Sequence, residues 1–246
     1  MSKNNRELKS IFKETFNIKT NEIYLSLIVF LYIVISNLLS GINLKVLSIV
    51  FIIQTFLLLL ENYITISVYS GIKKIIKKQI IISKDIFIDG LYFFLRVLLY
   101  KIFVCISFAL LFAISFGIIE VIKKIPVVNA TILTIITLLW LSIPVYYILL
   151  TFFAPFVIIF EDRPVFDSMK ISFNFVRENL DAFVIITFLF GILWGICILF
   201  FKKYNNLKGI EILFFYIFGI LEILTIKTFM ILYNKKGKEK WNKCLK

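Results

Sequence analysis

The stretch that decides the fold is APFVIIFEDRPVFDSMKISFNFVRENLDAFVIITF, residues 154–188. It leaves an apolar run, passes through a charged and amphipathic segment that starts at Glu161, and becomes continuously apolar again at Ala182. An apolar run of about 20 residues crosses a bilayer core of roughly 30 Å as a helix. The stretch therefore predicts a polar connection, with an amphipathic helix inside it, between two membrane spans.

The composition of the whole chain agrees with a membrane location. Of the 246 residues, 61% are hydrophobic, and the mean hydropathy is +0.97. Soluble domains contain roughly 45–50% apolar residues. Because the apolar residues are spread along the whole chain, they leave no room for a soluble catalytic domain. We predict an all-α polytopic integral membrane bundle that forms a single domain over residues 1–246.

Six apolar segments are long enough to cross a membrane as helices. They lie at about residues 23–42, 44–70, 91–119, 127–151, 182–201 and 209–233. The fourth segment is followed by further apolar residues as far as Phe160, which is too much for one upright helix. A proline inside a helix removes a hydrogen bond and clashes with the preceding turn. Pro144 and Pro155 are therefore expected to kink this helix or to end it.

The basic residues predict the orientation of the spans. Five of the 28 Lys and Arg residues precede the first span, six lie in 71–96, three in 161–181 and six in the tail from residue 235, so that 20 share one side. The other connections hold six. Because Lys and Arg accumulate on the cytoplasmic side, both termini are expected in the cytoplasm of a cell-membrane protein. The net charge of +13 is then explained by topology, and no nucleic-acid partner is predicted.

The reactive side chains do not suggest an enzyme. The chain contains no histidine, which is the commonest metal ligand and the commonest general base near neutral pH. Cys105, Cys197 and Cys244 lie far apart and form no CxxC pair. No glycine-rich phosphate loop and no pair of carboxylates at catalytic spacing occurs in the connections. We expect a non-enzymatic protein without a metal or cofactor.

The connection of the opening stretch predicts a helix over about residues 164–179. Pro164 suits the first turn of a helix, and acidic residues near that turn favour the positive helix end. One face is predicted to be apolar and the other polar; the apolar face holds Val165, Phe166, Met169, Phe173, Val176 and Leu180, and the polar face holds Asp167, Lys170, Asn174, Arg177 and Glu178. The helix is interpreted as lying in the inner membrane interface, with Lys170 and Arg177 as candidate contacts of anionic lipid head groups. The alternative is a linker that only orients the fifth span.

Two segments suggest an internal repeat. KETFNIKTNEIYLSLIVF, residues 13–30, and KISFNFVRENLDAFVIITF, residues 170–188, share a Lys, a Phe-Asn pair, a basic residue and an Asn ahead of a span. The connection KKIIKKQIIISKDIFIDGLYFFLRVLL, residues 73–99, has a similar layout without the Phe-Asn pair. The pattern predicts three units, each with an amphipathic helix followed by a helical hairpin. A match this short is also compatible with coincidence.

Ionisable residues inside the spans are the remaining candidates for a site, because burying a charge in lipid is costly. Glu61, Lys101 and Glu222 form a candidate intramembrane polar network, in which Glu61 and Lys101 are expected to pair. Lys227 is expected to extend its long stem to the inner interface. These groups are interpreted as links between helices or interface anchors, or alternatively as a proton or cation site.

One spacing of small residues could bring two helices together. Gly191 and Gly195 are separated by three residues, which permits a close helix crossing. A contact inside the monomer is favoured, with a homodimer as the alternative.

Ahead of the fifth span, the chain has in order Pro155, aliphatic residues, Glu161-Asp162 and then Ser168-Met169-Lys170-x-Ser172-Phe173-x-x-Val176-Arg177-x-Asn179. This order resembles that of a broad, mostly uncharacterised prokaryotic family. Its members are six-span proteins similar to the membrane domain of glycerophosphoryl diester phosphodiesterases. That family usually has Ala in place of Ser168, Trp in place of Phe173 and Gly in place of Glu178. The resemblance implies a fold and a location but no activity, since the catalytic domain of such enzymes has no counterpart here.

Together these features predict a multi-pass protein that organises lipids or partners at the cytoplasmic face. Its expected partners are the lipid bilayer, anionic head groups, and a membrane protein or a second copy. The alternative is a small transporter or channel that uses Glu222, Glu61 and Lys101.

Overall fold

The computed structural model describes residues 3–18, 20–40, 47–80, 82–123, 130–204 and 210–244. These residues form nine α-helices and no strand, which confirms the predicted all-α fold class. The helices are α1 (Lys3–Thr15), α2 (Thr20–Ser40), α3 (Leu47–Ile76), α4 (Ser83–Lys123), α5 (Ala130–Thr151), α6 (Ala154–Glu161), α7 (Val165–Glu178), α8 (Leu180–Tyr204) and α9 (Ile210–Cys244).

Six segments of these helices are long and apolar enough to cross a membrane, as predicted. They are Thr20–Asn37, Ile52–Ile76, Lys84–Lys123, Thr131–Glu161, Leu180–Lys203 and Ile212–Lys236. The predicted limits at residues 42, 44, 127 and 209 lie outside the described residues. Large apolar side chains on these segments are exposed, such as Leu91, Leu138 and Leu199. Such side chains suit contact with lipid tails, and the chain is a multi-pass membrane protein.

The chain contacts divide the molecule into two compact units. The first unit comprises Met1–Phe94 and Asn179–Lys246, and the second comprises Leu95–Glu178. In the first unit, α2 packs against α9 and α3, and α1 and α8 also pack against α9. In the second unit, α7 packs against α5 and α6.

Close helix approach in the first unit depends on glycines that the sequence did not single out. A Cβ atom on Gly90 would lie 2.0 Å from Ser67 Oγ, and one on Gly219 would lie 3.0 Å from the carbonyl oxygen of Ser26. By contrast, no described atom lies within 4 Å of a Cβ built on Gly191 or Gly195. The predicted crossing at Gly191 and Gly195 inside the monomer is therefore wrong, because helix spacing is set by the tertiary neighbours and not by the small residues alone.

The predicted three-unit repeat has the expected layout in two places. α1 and α7 are separate helices that precede the spans of α2 and α8. In the middle connection, α4 begins at Ser83 and continues without a break to Lys123, so the described part of this connection holds no separate amphipathic helix. The physical reason is local, because Ser83 to Leu95 contains no proline that would interrupt a helix.

The fourth span consists of two helices, α5 and α6. The position of the break between them shows which of the two prolines interrupts the helix. α5 continues through Pro144 and ends at Thr151, and α6 starts at Ala154 with Pro155 in its first turn. Pro155 therefore starts a new helix, whereas Pro144 is accommodated inside an existing one.

Candidate functional site

The first unit contains a buried charged side chain, Lys227, on α9. Its side chain is 4% exposed and that of Glu22, its ion-pair partner on α2, is 2% exposed. Lys227 Nζ lies 2.8 Å from Glu22 Oε1 and 2.9 Å from Oε2. It also donates to the carbonyl oxygens of Thr15 at 3.0 Å and Asn17 at 3.1 Å. Because an ammonium group has three protons, Glu22 and these two carbonyl groups use all of its donors.

The end of α1 explains why two carbonyl groups are available to Lys227. The last carbonyl groups of a helix have no partner inside that helix and carry the negative end of its dipole. α1 ends at Thr15, and the turn after it exposes the carbonyl oxygens of Thr15 and Asn17. Glu22 lies in the first turn of α2, where the helix dipole favours a negative charge. Lys227 thus ties the end of α1 and the start of α2 to α9.

A hydroxyl pair strengthens the same junction. Thr228 and Thr15 are both fully buried, and their Oγ1 atoms are 3.1 Å apart. The Thr15 hydroxyl donates to the carbonyl oxygen of Ile11 one turn earlier. The single proton of the Thr228 hydroxyl is within hydrogen-bond distance of both Thr15 Oγ1 and the carbonyl oxygen of Leu224. The buried hydroxyls beside Lys227 are therefore hydrogen-bonded, whereas Glu22 Oε1 has the ion-pair contact with Lys227 but no hydrogen bond.

The sequence did not identify this junction. The expectation that Lys227 extends to the inner interface stays a prediction; its Nζ reaches Thr15 and Asn17, which precede the span Thr20–Asn37, and is buried against the carboxylate of Glu22. A single Lys inside an apolar span does signal that a partner is needed. Choosing Glu22 among the 15 acidic residues requires the tertiary structure, since the two residues are 205 positions apart.

Two cavities border Glu22 on different sides. The first has a volume of about 320 Å³ and is lined by Glu14, Asn17, Glu22, Ile75, Ile76, Lys78 and Lys227. The second has a volume of about 180 Å³ and is lined by Ile18, Glu22, Ile23, Ser26, Tyr216, Ile220, Ile223 and Leu224. We call them the polar cavity and the apolar groove. Glu22 is the residue that the two linings share.

A second polar cluster joins α3 to the start of α4. Asp89 Oδ2 accepts a hydrogen bond from the Ser70 hydroxyl at 2.8 Å and lies 2.8 Å from Lys74 Nζ. The hydroxyl of Tyr63 donates to the carbonyl oxygen of Phe87 at 3.1 Å. These groups satisfy each other and hold the two helices together where Gly90 lets them approach.

The predicted intramembrane network is brought together in part. The Tyr32 hydroxyl on α2 donates to Glu61 Oε2 at 3.3 Å, and it also interacts electrostatically with Glu222 on α9. Two of the three predicted residues therefore interact with one tyrosine of the first unit, Glu61 by a hydrogen bond and Glu222 electrostatically. Lys101 belongs to the second unit, and its pairing with Glu61 stays a prediction.

The second unit contains a buried break between α5 and α6. Pro155 has no N–H, so it cannot donate to the carbonyl group of Thr151 as a continuous helix would require. Instead, the hydroxyl of Tyr100 donates to the carbonyl oxygen of Thr151 at 2.8 Å. Tyr100 is 6% exposed and Thr151 is fully buried. A tyrosine hydroxyl thus replaces the missing helical donor.

Ser172 on α7 completes the same break. Its hydroxyl donates to the carbonyl oxygen of Leu150 at 2.6 Å and accepts from the N–H of Phe153 at 3.0 Å. The ring of Phe153 packs against that of Phe175 with a centroid distance of 4.7 Å. Ser172 therefore hydrogen-bonds to both sides of the break and anchors α7 on it.

The buried face of α7 only partly coincides with the predicted apolar face. It holds Ser168, Met169, Ser172, Phe175 and Val176. Phe166, predicted on the apolar face, is 68% exposed and packs on Phe103 at a centroid distance of 5.2 Å. Hydropathy places serine outside, but the two serine hydroxyls are satisfied by backbone carbonyl groups and can be buried.

The predicted polar face of α7 is exposed, including the candidate lipid contacts Lys170 and Arg177. Neither side chain forms an ion pair with another described residue. Asp162, which precedes α7 with a φ of 55°, is held by an ion pair with Arg96. The two basic side chains of α7 are thus oriented away from its packed face and lack an acidic partner in the described part of the chain.

Among the described residues, no three His, Cys, Asp or Glu side chains are grouped as a metal site would need. The chemistry available at Lys227 and Glu22 is electrostatic, because each neutralises the other. The resemblance to the membrane domain of glycerophosphoryl diester phosphodiesterases stays a prediction. No family model, no curated protein and no solved structure matches this chain.

Proposed function

We propose that this multi-pass membrane protein is non-enzymatic and organises anionic lipid head groups at the cytoplasmic face of the cell membrane. The observation that carries the proposal is the arrangement of α7. The face of α7 that contains Ser172 is buried against the rest of the second unit. Lys170 and Arg177 are exposed and have no acidic partner among the described residues. The spacing of seven residues places these two cations on the same face about two turns apart.

α1 supports the same proposal. Ile11 and Thr15 are buried, whereas Lys9 and Lys13 are exposed and form no ion pair within the described ranges. Each Lys or Arg near an anionic leaflet contributes about 1 kcal/mol of attraction. Two amphipathic helices of this kind would hold anionic lipid next to the spans, and the excess of Lys and Arg on this side favours the cytoplasmic leaflet. A second copy or another membrane protein is the proposed protein partner of this surface.

The test uses the full-length protein in bilayers with and without phosphatidylglycerol. The double variant Lys170→Glu and Arg177→Glu should retain roughly 30-fold less phosphatidylglycerol, measured by native mass spectrometry, because about 1 kcal/mol is lost for each of the two cations. Lys202→Glu is the control, since Lys202 is an exposed lysine at the far end of α8. Equal retention by the double variant and the parent protein would refute the proposal.

Transport is a second candidate function, favoured by the hydrogen bond from Tyr32 to Glu61 and by the electrostatic interaction of Tyr32 with Glu222. Carboxylates around a hydroxyl inside a membrane can carry a proton or bind a cation. Glu222→Gln should then abolish proton or cation flux in proteoliposomes, while Glu120→Gln, at an exposed ion pair with Lys123, should not. Unchanged flux in Glu222→Gln would exclude this function.

A further inference from the structure

We propose that the first unit contains a separate phospholipid site. The phosphate group would lie in the polar cavity against Lys78, and an acyl chain would lie in the apolar groove between α2 and α9. Two observations support the proposal: the order of the two cavities along the spans, and the charge of Lys78 in the polar cavity.

The two cavities lie in the order that a phospholipid requires. The polar cavity is lined by Asn17, just before the span Thr20–Asn37, and by Ile76, the last residue of the span Ile52–Ile76. The apolar groove is lined by residues farther into the spans, such as Ser26 on α2 and Ile220 on α9. A head group at the membrane surface would therefore continue into an apolar groove at the depth of the acyl chains.

The charges in the polar cavity leave one cation without a partner. Glu22 is paired with Lys227, and Glu14 is paired with Lys235 at 2.8 Å. The side chain of Lys78 forms no ion pair or hydrogen bond with the described residues and is exposed at the cavity. The lining holds two carboxylates and two ammonium groups, but Lys235, outside the lining, neutralises Glu14 and so leaves the charge of Lys78 uncompensated. A lysine ammonium is a suitable point charge for a phosphate group.

The backbone at Lys78 also indicates that its side chain is needed. Lys78 has a φ of 55°, and the bonds from its N–H to the carbonyl of Ile75 and from the N–H of Gln79 to that of Lys74 end α3 as a Schellman motif. Glycine is the usual residue at such a position, because a side chain is strained there. A lysine at this position is explained by the charge that it presents to the cavity.

Lys227 is a positioning residue in this site. Its three donors are used by Glu22 and by the carbonyl groups of Thr15 and Asn17, so it has none to offer a ligand. It holds the Glu22 carboxylate at the junction of cavity and groove and neutralises it. An anion can therefore approach Lys78 without repulsion from a free carboxylate.

The experiment measures retention of phosphatidylglycerol by the full-length protein in a neutral detergent, by native mass spectrometry. Lys78→Gln should reduce retention by roughly tenfold or more, since a hydrogen bond to a charged group is lost. Lys78→Gly should do the same and should not unfold the protein, because glycine fits the left-handed backbone. Lys84→Gln removes an equal charge from an exposed lysine outside the cavity and should leave retention unchanged.

A second pair of variants tests the acyl chain. Ile220→Trp narrows the apolar groove and should lower lipid retention, whereas Leu213→Trp, on an exposed part of α9, should not. Inorganic phosphate should not displace the lipid.

Retention that survives Lys78→Gln, or that responds equally to Lys78→Gln and Lys84→Gln, would overturn the site. Displacement by inorganic phosphate together with no effect of Ile220→Trp would show a soluble phosphate site and would also overturn the phospholipid proposal. These outcomes are independent of Lys170 and Arg177, which belong to the second unit.

Discussion

Both units contain backbone carbonyl groups that lack a partner inside their helix. The two units supply the missing hydrogen-bond donors from different chemical groups. In the first unit, the carbonyl groups after α1 accept from the ammonium of Lys227, which is paired with Glu22. In the second unit, the carbonyl groups before Pro155 accept from the neutral hydroxyls of Tyr100 and Ser172. Such groups need a partner, because lipid supplies none.

The comparison is informative because the two junctions share a short sequence. Thr15 precedes the pair Phe16-Asn17, and Ser172 precedes the pair Phe173-Asn174. Both hydroxyl residues are fully buried, but Thr15 meets the hydroxyl of Thr228 whereas Ser172 meets two backbone groups. The similar local sequences therefore each place a buried hydroxyl at the junction. The helix packed beside the junction decides whether the donors there are charged or neutral. A charged junction should be the more sensitive one, since an unpaired charge costs more than an unpaired hydrogen-bonding group.

The largest effect is expected from Lys227→Met. It leaves the Glu22 carboxylate buried without a counter-charge, which should lower the free energy of unfolding by about 3–5 kcal/mol. Unfolding in detergent, followed by tryptophan fluorescence, measures the loss. The control Lys235→Met removes a partly exposed pair with Glu14 and should cost less than about 1 kcal/mol.

A double variant makes this prediction sharper. Glu22→Leu added to Lys227→Met removes both charges and should restore much of the lost stability. If Lys227→Met costs no more than Lys235→Met, the junction is not held by its ion pair and the contrast between the units fails.

The next largest effect is expected from Ser172→Ala. The carbonyl group of Leu150 and the N–H of Phe153 both lose their partner, and the substitution should lower the free energy of unfolding by about 1–3 kcal/mol. Ser142→Ala is the matched control, because Ser142 is exposed on α5 and its hydroxyl bonds only within that helix. The same unfolding measurement applies. A loss for Ser172→Ala as large as that for Lys227→Met would contradict the ranking of charged above neutral junctions.

The smallest effect is expected from the coupling of Tyr100 with Pro155. Tyr100→Phe leaves the carbonyl group of Thr151 without its donor and should cost about 1 kcal/mol. In a Pro155→Ala background the new N–H can serve that carbonyl, so the same tyrosine change should cost clearly less. A double-mutant cycle measures the difference. Additive costs would mean that Tyr100 does not compensate for the missing N–H.

The spans and the helix at residues 164–179 were predictable because they depend on the pattern of apolar and polar residues along a short stretch of the chain. The predicted helix agrees with α7, Val165–Glu178, to within one residue at each end, and its five polar-face residues are exposed. The face of α7 that is buried was not predictable, since Ser172 is buried only because Leu150 and Phe153 lie beside it. The helix contact at Gly90 escaped prediction for a similar reason, because it depends on Ser67 in another helix.

The sequence by itself determined that the chain is all-α and has six apolar segments of membrane length, since hydrophobicity and length are summed over neighbouring residues. Only the tertiary structure decided that Lys227 pairs with Glu22 and that Lys78 is the unpaired cation of the polar cavity. Ion pairing depends on distances between residues far apart in the chain, and no local pattern encodes those distances.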